Sequence, residues 1–275
     1  MNICLNDAQD SMSFWLSFLA GIKKKGMELM IPYQRRTQML QLLEKNEVVS
    51  LDDFCKKLQG VSESTVRRDL KTLEAEGQIV LLRGGGARLK KGSYEVPVNS
   101  KSIKNVNEKE NIARYAAGLV KDGESVYLDS GSTVLRMVKY LKNKDITIVT
   151  TNAMILPELQ ETKLKCFLAG GEINVSSASI LGTKTNSDLQ RMYFDKAFLG
   201  ANGFSDKAGI STPDLREAEK KQIVCRNSTK AYVLLDSSKS GKNTLSKVFE
   251  LGEVTIISDK ETDMLLASGN YIVAK

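Results

Sequence analysis

A short loop of polar residues, Asp129-Ser130-Gly131-Ser132-Thr133, combines groups that can hold a small anion. Glycine lets a ligand approach the backbone closely, hydroxyl groups donate hydrogen bonds, and free amides at a helix start attract negative charge. The same residues also fit a tightly capped turn between a strand and a helix that binds nothing. From this loop alone, both interpretations stand.

Three further segments place glycine, hydroxyl, amide or charged groups directly after a predicted strand. They are Thr151-Asn152, Gly170-Gly171-Glu172 and Asp236-Ser237-Ser238-Lys239. Ligands in open α/β sheets bind beyond the carboxyl ends of the strands, so we expect the four loops to share one edge of a sheet. Together they favour a small, polar, anionic ligand over a set of unrelated caps.

The elements that would position these loops alternate between helix and strand patterns. The predicted helices are 108–120, 133–141 and 213–226, and the predicted strands are 125–128, 146–150, 163–168, 196–199, 231–235 and 254–257. Such alternation predicts an α/β domain with a parallel sheet over residues 108–275. Residues 90–107 are polar and basic, contain Pro97 and lack apolar periodicity, so we interpret them as a linker.

A second stretch that could carry chemistry is VSESTVRRDLKTLEAEG, residues 61–77, which predicts a helix over residues 63–76. Val66, Leu70 and Leu73 repeat at the spacing that lines one helix face, and Ser62 is suited to cap the first turn. The opposite face carries Ser64, Thr65, Arg67, Arg68 and Lys71. In a major groove, short polar groups at the start of a recognition helix meet base edges, and longer cations reach phosphates.

The alternative is a solvated surface helix whose arginines form salt bridges with Glu63, Asp69 or Glu74. The preceding residues favour DNA binding instead. Residues 32–45 predict a first helix, Ser50 caps a short second helix, and Gly60 turns the chain into the third. Two short helices joined by a glycine-containing turn indicate a helix-turn-helix.

The residues after this helix predict a β-hairpin. Residues 78–82 and 87–89 are strand-like, and residues 83–86 form the turn between them. A hairpin in this position is a wing. Arg83 and Arg88 flank its turn and could lie along the phosphate backbone or the minor groove. The predicted DNA-binding domain therefore spans residues 30–89.

Composition narrows the possible functions. The chain has 275 residues, a net charge of +7 and no histidine, which excludes a Ser-His-Asp triad and any His-ligated metal. The four cysteines, Cys4, Cys55, Cys166 and Cys225, form no C-x-x-C pair, so we expect no zinc site, no disulfide framework and a reduced, cytoplasmic environment. We also expect no cofactor. Residues 27–91 hold twelve basic and nine acidic residues, a net charge of only +3, so the placement of charge matters more than its sum.

The first 29 residues differ in character from the rest of the chain. The apolar run 14–22 is too short to span a bilayer, and its basic residues come after it rather than before. The messenger RNA that encodes Lys24, Lys25 and Gly26 must be rich in purines, like the sequences that pair with bacterial ribosomes. It lies a short distance before the codon of Met30. We therefore expect translation to start mainly at Met30, or at Met27, and residues 1–29 to be leader or disordered.

The N-terminal motifs resemble a known family. VSESTVRRDLKTLEAEG and the sequence RGGGA are similar to the winged helix-turn-helix of DeoR-type bacterial transcriptional regulators. Family members usually have histidine where Gly84 stands. The resemblance continues through LDSGST, TTN, AGGE, FDKAFLGANG, the helix residues Glu217 and Lys221, and DSSKSG, and covers Arg35 to about Asp259.

For the C-terminal half, the resemblance implies an effector domain similar in fold to ribose-5-phosphate isomerase, glucosamine-6-phosphate deaminase and CoA transferases. It also implies a phosphorylated sugar, with residues 130–133 around the phosphate. The residues that it places about the rest of the ligand are Asn152, Gly170, Gly171, Lys221, Asp236 and Lys239.

The sequence thus predicts a DNA-binding repressor of a carbohydrate-utilisation operon, controlled by a sugar phosphate. Because one helix-turn-helix reads few base pairs, we also expect a homo-oligomer, a dimer or a tetramer, on a repeated operator. The alternative is a sugar-phosphate isomerase or CoA-transferase-like enzyme with a fused DNA-binding domain. Its acid, base and electrophile could come from Asp129, Glu172, Lys221, Asp236 and Lys239.

Overall fold

The structure is a computed structural model that describes residues 30–58, 60–75, 78–89 and 98–275. The expected leader, residues 1–29, lies outside the described residues. The chain divides into two compact units, with the boundary between Lys91 and Gly92. None of the described helices combines the length and the apolar character needed to cross a bilayer.

The N-terminal unit is a winged helix-turn-helix. Its elements are α1 (Pro32–Lys45), β1 (Val49–Ser50), α2 (Leu51–Lys57), α3 (Glu63–Ala75), β2 (Ile79–Leu82) and β3 (Gly86–Leu89). α1 begins at Pro32, whose fixed backbone suits the first helical position. α2 begins where the Ser50 hydroxyl accepts a hydrogen bond from the backbone N of Asp53, at 3.1 Å. The three predicted helices and the wing are confirmed.

The apolar faces of the three helices and the inner face of the wing share one core. Its largest fully buried side chains include Met39, Phe54, Leu58 and Leu73. The wing is a three-stranded antiparallel sheet in the order β1-β3-β2. Gly84 and Gly85 have φ angles of +104° and +90° in its turn, a left-handed conformation that glycine adopts without strain.

The C-terminal unit is an α/β domain. Its helices are α4 (Val98–Ser102), α5 (Val106–Gly118), α6 (Ser132–Leu135), α7 (Val138–Leu141), α8 (Thr183–Leu189), α9 (Leu215–Arg226) and α10 (Asp263–Ser268). Its strands are β4 (Ser125–Leu128), β5 (Thr147–Thr150), β6 (Lys165–Leu168), β7 (Glu172–Asn174), β8 (Ser179–Leu181), β9 (Phe194–Gly200), β10 (Gly203–Ser205), β11 (Gly209–Thr212), β12 (Ser228–Leu234), β13 (Ser246–Phe249), β14 (Thr255–Ser258) and β15 (Tyr271–Val273). Two 3-10 helices cover Ala153–Leu159 and Ser237–Lys239.

Seven parallel strands form the main sheet, in the order β15-β14-β12-β9-β4-β5-β6. Side chains alternate between its two faces. Val126 and Leu128 therefore pack in one apolar core and Tyr127 in the other. The strand order reverses between β4 and β9, which is the switch point where an open sheet leaves a crevice for ligands. The predicted parallel α/β fold is confirmed.

Some local predictions differ from the structure. Residues 98–107, interpreted as part of a linker, contain α4 and the start of α5, and Val98 is buried with its backbone N bonded to the carbonyl of Ser176. The predicted helix 133–141 is two short helices, because Met137 N bonds to the carbonyl of Val134 only three residues back. The short strands β7, β8, β10, β11, β13 and β15 and the helices α8 and α10 had no counterpart in the sequence prediction.

Candidate functional site

The start of α3 presents a cluster of hydroxyl groups. The Ser62 hydroxyl lies 3.4 Å from the backbone N of Thr65, as an N-cap does. It also lies 3.0 Å from the Ser64 hydroxyl and 2.9 Å from the Thr65 hydroxyl. Ser62 and Ser64 are exposed. Small donors and acceptors at the start of an exposed helix suit contact with base edges.

Among the described residues, the acidic side chains of α3 form an ion pair with one of its two arginines, Arg67. Arg67 forms an i,i+4 ion pair with Glu63 at 2.7 Å, and both side chains are 58% exposed. Such an exposed pair is weak and can be exchanged for a phosphate contact. Asp69 is instead buried in an ion pair with Arg35 of α1, and the Glu74 carboxylate accepts a hydrogen bond from the backbone N of Leu81. Within the described residues, neither acid pairs with Arg67.

The same helix face and the wing form a concave surface. It is lined by Leu51, Ser64, Arg67, Arg68, Leu70, Lys71, Leu81, Leu82, Gly85 and Gly86. Arg68 and Lys71 are exposed on α3, Arg83 is exposed in the turn of the wing, and Arg88 is half-buried on β3. The predicted DNA-contacting residues therefore all belong to α3, its N-cap or the wing. A polyanion can be held here by cations from two elements.

A cavity at the switch point of the main sheet brings together eight of the predicted effector-binding residues. These are Asp129, Ser130, Gly131, Ser132, Thr133, Lys221, Asp236 and Lys239. Other lining residues come from α4, α5, the end of β9 and α9, and include Val98, Lys101, Lys109, Gly200 and Glu217. One carboxylate oxygen of Asp129 accepts a hydrogen bond from Gly200 N at 2.9 Å, which joins the ends of β4 and β9.

Four charged side chains form a buried cluster at the floor of this cavity, which we call the charge quartet: Asp129, Glu217, Lys220 and Lys221. Lys221 Nζ lies 2.7 Å from Asp129 Oδ2 and 2.7 Å from Glu217 Oε2. Lys220 Nζ lies 3.1 Å from Glu217 Oε2 and 3.6 Å from Asp129 Oδ1. The two positive charges balance the two negative ones, which burial of charge requires.

The charge quartet keeps the two carboxyls and Lys221 ionised. Burial raises the pKa of the Asp129 and Glu217 carboxyls, but the two lysines outweigh burial and hold both pKa values below their usual range. Burial lowers the pKa of Lys221, but the two carboxylates outweigh it and raise that pKa above its ordinary value. The carboxylates are therefore hydrogen-bond acceptors only.

Lys220 was missed by the sequence prediction. It is fully buried and donates to the hydroxyls of Ser179 at 2.7 Å and Thr151 at 3.1 Å, in addition to its ion pairs. The spacing E-x-x-K-K places both lysines within one turn of Glu217. The E-x-x-K-K spacing could have indicated this cluster from the sequence, but the same spacing is common on solvated helices.

Three lysines, Lys101, Lys109 and Lys239, also line the cavity, and we call them the lysine wall. Lys109 is buried and donates to the carbonyl of Lys101. Burial lowers the pKa of Lys109 to about 8, opposed by Asp236 and reinforced by Lys239 and other cations. Burial, Lys101 and further lysines lower the pKa of Lys239 to about 8 as well. This wall would gain stability from a bound anion.

The remaining predicted effector residues have structural contacts and are not among the residues that line the cavity. The Asn152 side chain caps a 3-10 helix by accepting a hydrogen bond from Met154 N at 2.9 Å. The Gly170 carbonyl accepts from the Thr185 hydroxyl at 2.8 Å. A Cβ on Gly171 would lie 2.1 Å from that hydroxyl oxygen, so close packing requires glycine there. All three residues support the loops around the cavity.

Comparisons with known proteins match both units. A family model described as the DeoR C terminal sensor domain matches residues 104–260, and one described as the DeoR-like helix-turn-helix domain matches residues 35–91. The uncharacterized HTH-type transcriptional regulator FruR of Bacillus subtilis is 37% identical over 83% of this chain and 91% of its own length. The lactose phosphotransferase system repressor of Staphylococcus epidermidis is 31% identical over 84% of this chain and 93% of its own. A solved ribose 5-phosphate isomerase A of Methanocaldococcus jannaschii is 23% identical with a TM-score of 0.38, covering 55% of this chain and 58% of that one.

Proposed function

Because the chain belongs to the DeoR family of transcriptional regulators, we propose that it represses a carbohydrate-utilisation operon and that a phosphorylated sugar controls its binding to operator DNA. The observation that carries the proposal is one chain with two complementary sites, a cationic groove between α3 and the wing and a cavity with a lysine wall. A relative named as a lactose phosphotransferase system repressor supports the carbohydrate assignment. The protein is a regulator and not an enzyme, and as such would act in the cytoplasm.

The charges of the cavity support a particular orientation of the ligand. Its charge quartet is electrically balanced, whereas burial and neighbouring lysines lower the pKa values of Lys109 and Lys239, with Asp236 opposing them. An anionic group is stabilised most where positive charge is in excess. The phosphate therefore lies against the lysine wall, within reach of residues 130–133, and the sugar extends toward the charge quartet.

DNA binding can be tested on a duplex selected from random sequence by the full-length protein. Replacing a base-reading arginine costs about 1–3 kcal/mol and relaxes specificity, so Arg68→Ala is expected to weaken binding by roughly 5- to 150-fold at fixed salt. Lys71→Ala is expected to weaken binding to all sequences alike. Arg191→Ala, at an exposed arginine in the other unit, is the matched control. Unchanged affinity of both α3 variants refutes the assignment of this helix.

Control by a ligand is tested separately. A thermal-shift screen of phosphorylated sugars identifies a ligand, because a ligand that binds only the folded state raises the melting temperature. DNA binding is then measured with and without it. Lys239→Met is expected to abolish the thermal shift while leaving DNA binding without ligand intact. A hit that has no effect on DNA binding would refute control by this cavity.

The proposal includes a homo-oligomer, a dimer or a tetramer. One helix-turn-helix contacts a few base pairs, and symmetric oligomers obtain affinity by placing two such units on a repeated site. Analytical ultracentrifugation of the protein with and without a selected duplex gives the stoichiometry. A single chain bound to a non-repeated site would contradict this part of the proposal.

A further inference from the structure

Two carboxylate oxygens in the cavity lack a hydrogen bond from any described residue: Asp129 Oδ1 and Glu217 Oε1. The two residues are only 1% and 4% exposed, and both line the cavity. Buried polar atoms in native proteins nearly always have a partner. Leaving an acceptor unpaired costs about 1–3 kcal/mol, and more when it is charged. Two such atoms in one cavity therefore indicate a ligand that supplies the missing donors.

The partners of the other two oxygens define what kind of donor fits. Asp129 Oδ2 accepts from Lys221 Nζ at 2.7 Å and from Gly200 N at 2.9 Å, and Glu217 Oε2 accepts from Lys221 Nζ at 2.7 Å. The lysines already neutralise both carboxylates, so a cationic ligand group would add excess positive charge beside the lysine wall. A neutral hydroxyl donates a hydrogen bond without changing that balance.

The Ser130 hydroxyl, which follows Asp129 in the loop, is already engaged. Ser130 donates to the hydroxyl of Ser179 at 2.6 Å, and Ser179 also accepts from Lys220 at 2.7 Å. The hydroxyl hydrogen of Ser130 is therefore used in the bond to Ser179 and cannot be donated to Asp129. Lys220 Nζ lies 3.6 Å from Asp129 Oδ1, beyond hydrogen-bond distance, so this oxygen can still accept a hydrogen bond from a ligand hydroxyl.

We propose that Asp129 and Glu217 form a hydroxyl-recognition subsite, which binds the sugar hydroxyls remote from the phosphate and selects polyhydroxy phosphate esters over other anions. This inference rests on the proposed function and adds the groups that set specificity. Hydrogen bonds from a hydroxyl to a charged acceptor are stronger than those between neutral groups. A ligand that lacks one of these hydroxyls leaves a buried carboxylate oxygen unpaired and is rejected.

The test uses the full-length protein and isothermal titration with glucose 6-phosphate, fructose 1-phosphate, fructose 6-phosphate and galactose 6-phosphate. The tightest of these is compared with its analogues that each lack one hydroxyl, and with inorganic phosphate. At least one analogue is expected to bind about tenfold more weakly or worse, because a site built to bind a hydroxyl discriminates strongly against its loss. Inorganic phosphate is expected to bind far more weakly than the parent sugar.

Variants then assign the effect to the two carboxylates. In Asp129→Asn or Glu217→Gln, the penalty for the missing hydroxyl is expected to fall to less than about threefold, since a neutral amide is a weaker acceptor. Deoxy analogues that bind the unsubstituted protein as tightly as the parent sugar overturn the inference, and this result does not depend on the stability of any variant. A penalty that is unchanged in both variants overturns it as well.

The outcomes also separate this inference from the function on which it rests. If the four sugars all fail to bind while the protein binds selected DNA, the sugar-phosphate effector is wrong and the subsite falls with it. If a parent sugar binds and alters DNA binding but its deoxy analogues bind equally well, the proposed function stands and only the hydroxyl-recognition subsite is refuted.

Discussion

Replacing Lys220 by methionine tests whether the charge quartet is held together by balanced charge. Lys220 is fully buried and lies within 4 Å of both Asp129 and Glu217. Methionine keeps most of the side-chain volume but removes the positive charge, so the remaining three groups carry a net charge of −1. The neighbouring hydroxyls of Ser179 and Thr151 also lose their donor.

The size of the effect depends on the burial. Removing one partner of a buried ion pair costs about 3–5 kcal/mol, because the other charge is left uncompensated. Lys220→Met is therefore expected to destabilise the C-terminal unit by that amount. The double variant Lys220→Met/Glu217→Gln returns the cluster to neutrality, since Asp129 and Lys221 still pair. We expect it to be at least about 1 kcal/mol more stable than the single variant.

The assay is urea denaturation of the full-length protein followed by circular dichroism, with separate transitions fitted for the two units. Lys184→Met is the matched control, because this lysine is 72% exposed and, among the described residues, its ion pair is with Asp188; it should change stability by less than about 0.5 kcal/mol. Without Lys220, the folded-state pKa values of the two carboxyls rise, so part of the lost stability should return as the pH falls. If the double variant loses the sum of the two single losses, charge balance is not what stabilises the cluster.

Three further outcomes are expected. Raising the pH from about 7 to about 9 should weaken binding of an anionic ligand, measured by calorimetry, because Lys109 and Lys239 lose their charge near pH 8. The free protein should become more stable over the same pH range, because these lysines hold their protons to near pH 10.5 in the unfolded chain. Ser50→Ala should destabilise the N-terminal unit by about 1 kcal/mol in a thermal melt, and Ser50→Asn, which can still cap, by less. Gly171→Ala should lower stability by about 1–3 kcal/mol through overpacking, whereas Gly170→Ala, where a Cβ meets open space, should not.

The helix-turn-helix was predictable because its signals are local. The Ser50 cap, the proline at the first position of α1 and the apolar repeat of α3 each lie within a few residues of the helix end or face they determine. Six of the seven parallel strands were predictable because buried strands give apolar runs, whereas β15 at the edge of the sheet was not predicted. The strands of three or four residues, β7, β8, β10, β11 and β13, are too short to show a periodicity, and their pairing depends on distant segments.

The cavity was only partly predictable for the same reason. The loop 129–133 carries its own signal, but the burial of Lys220 and Lys221 depends on Asp129, which lies about ninety residues earlier in the chain. In the sequence, the segment LREAEKKQ has the composition of a solvated helix face. Only the packing of α9 against the switch point of the sheet turns those charges inward.

The segment between α4 and α5, together with both helices, contributes to the wall of the cavity. Asn105 donates to an Asp236 carboxylate oxygen at 2.8 Å, and Val98, Lys101 and Lys109 line the same space. In the proposed function, a ligand held by these lysines changes the affinity of the protein for DNA. Thermodynamic reciprocity then applies: operator DNA must change the affinity for the effector by the same factor by which the effector changes the affinity for DNA. Each operator in the cell would therefore adjust the sugar concentration at which its own repressor responds.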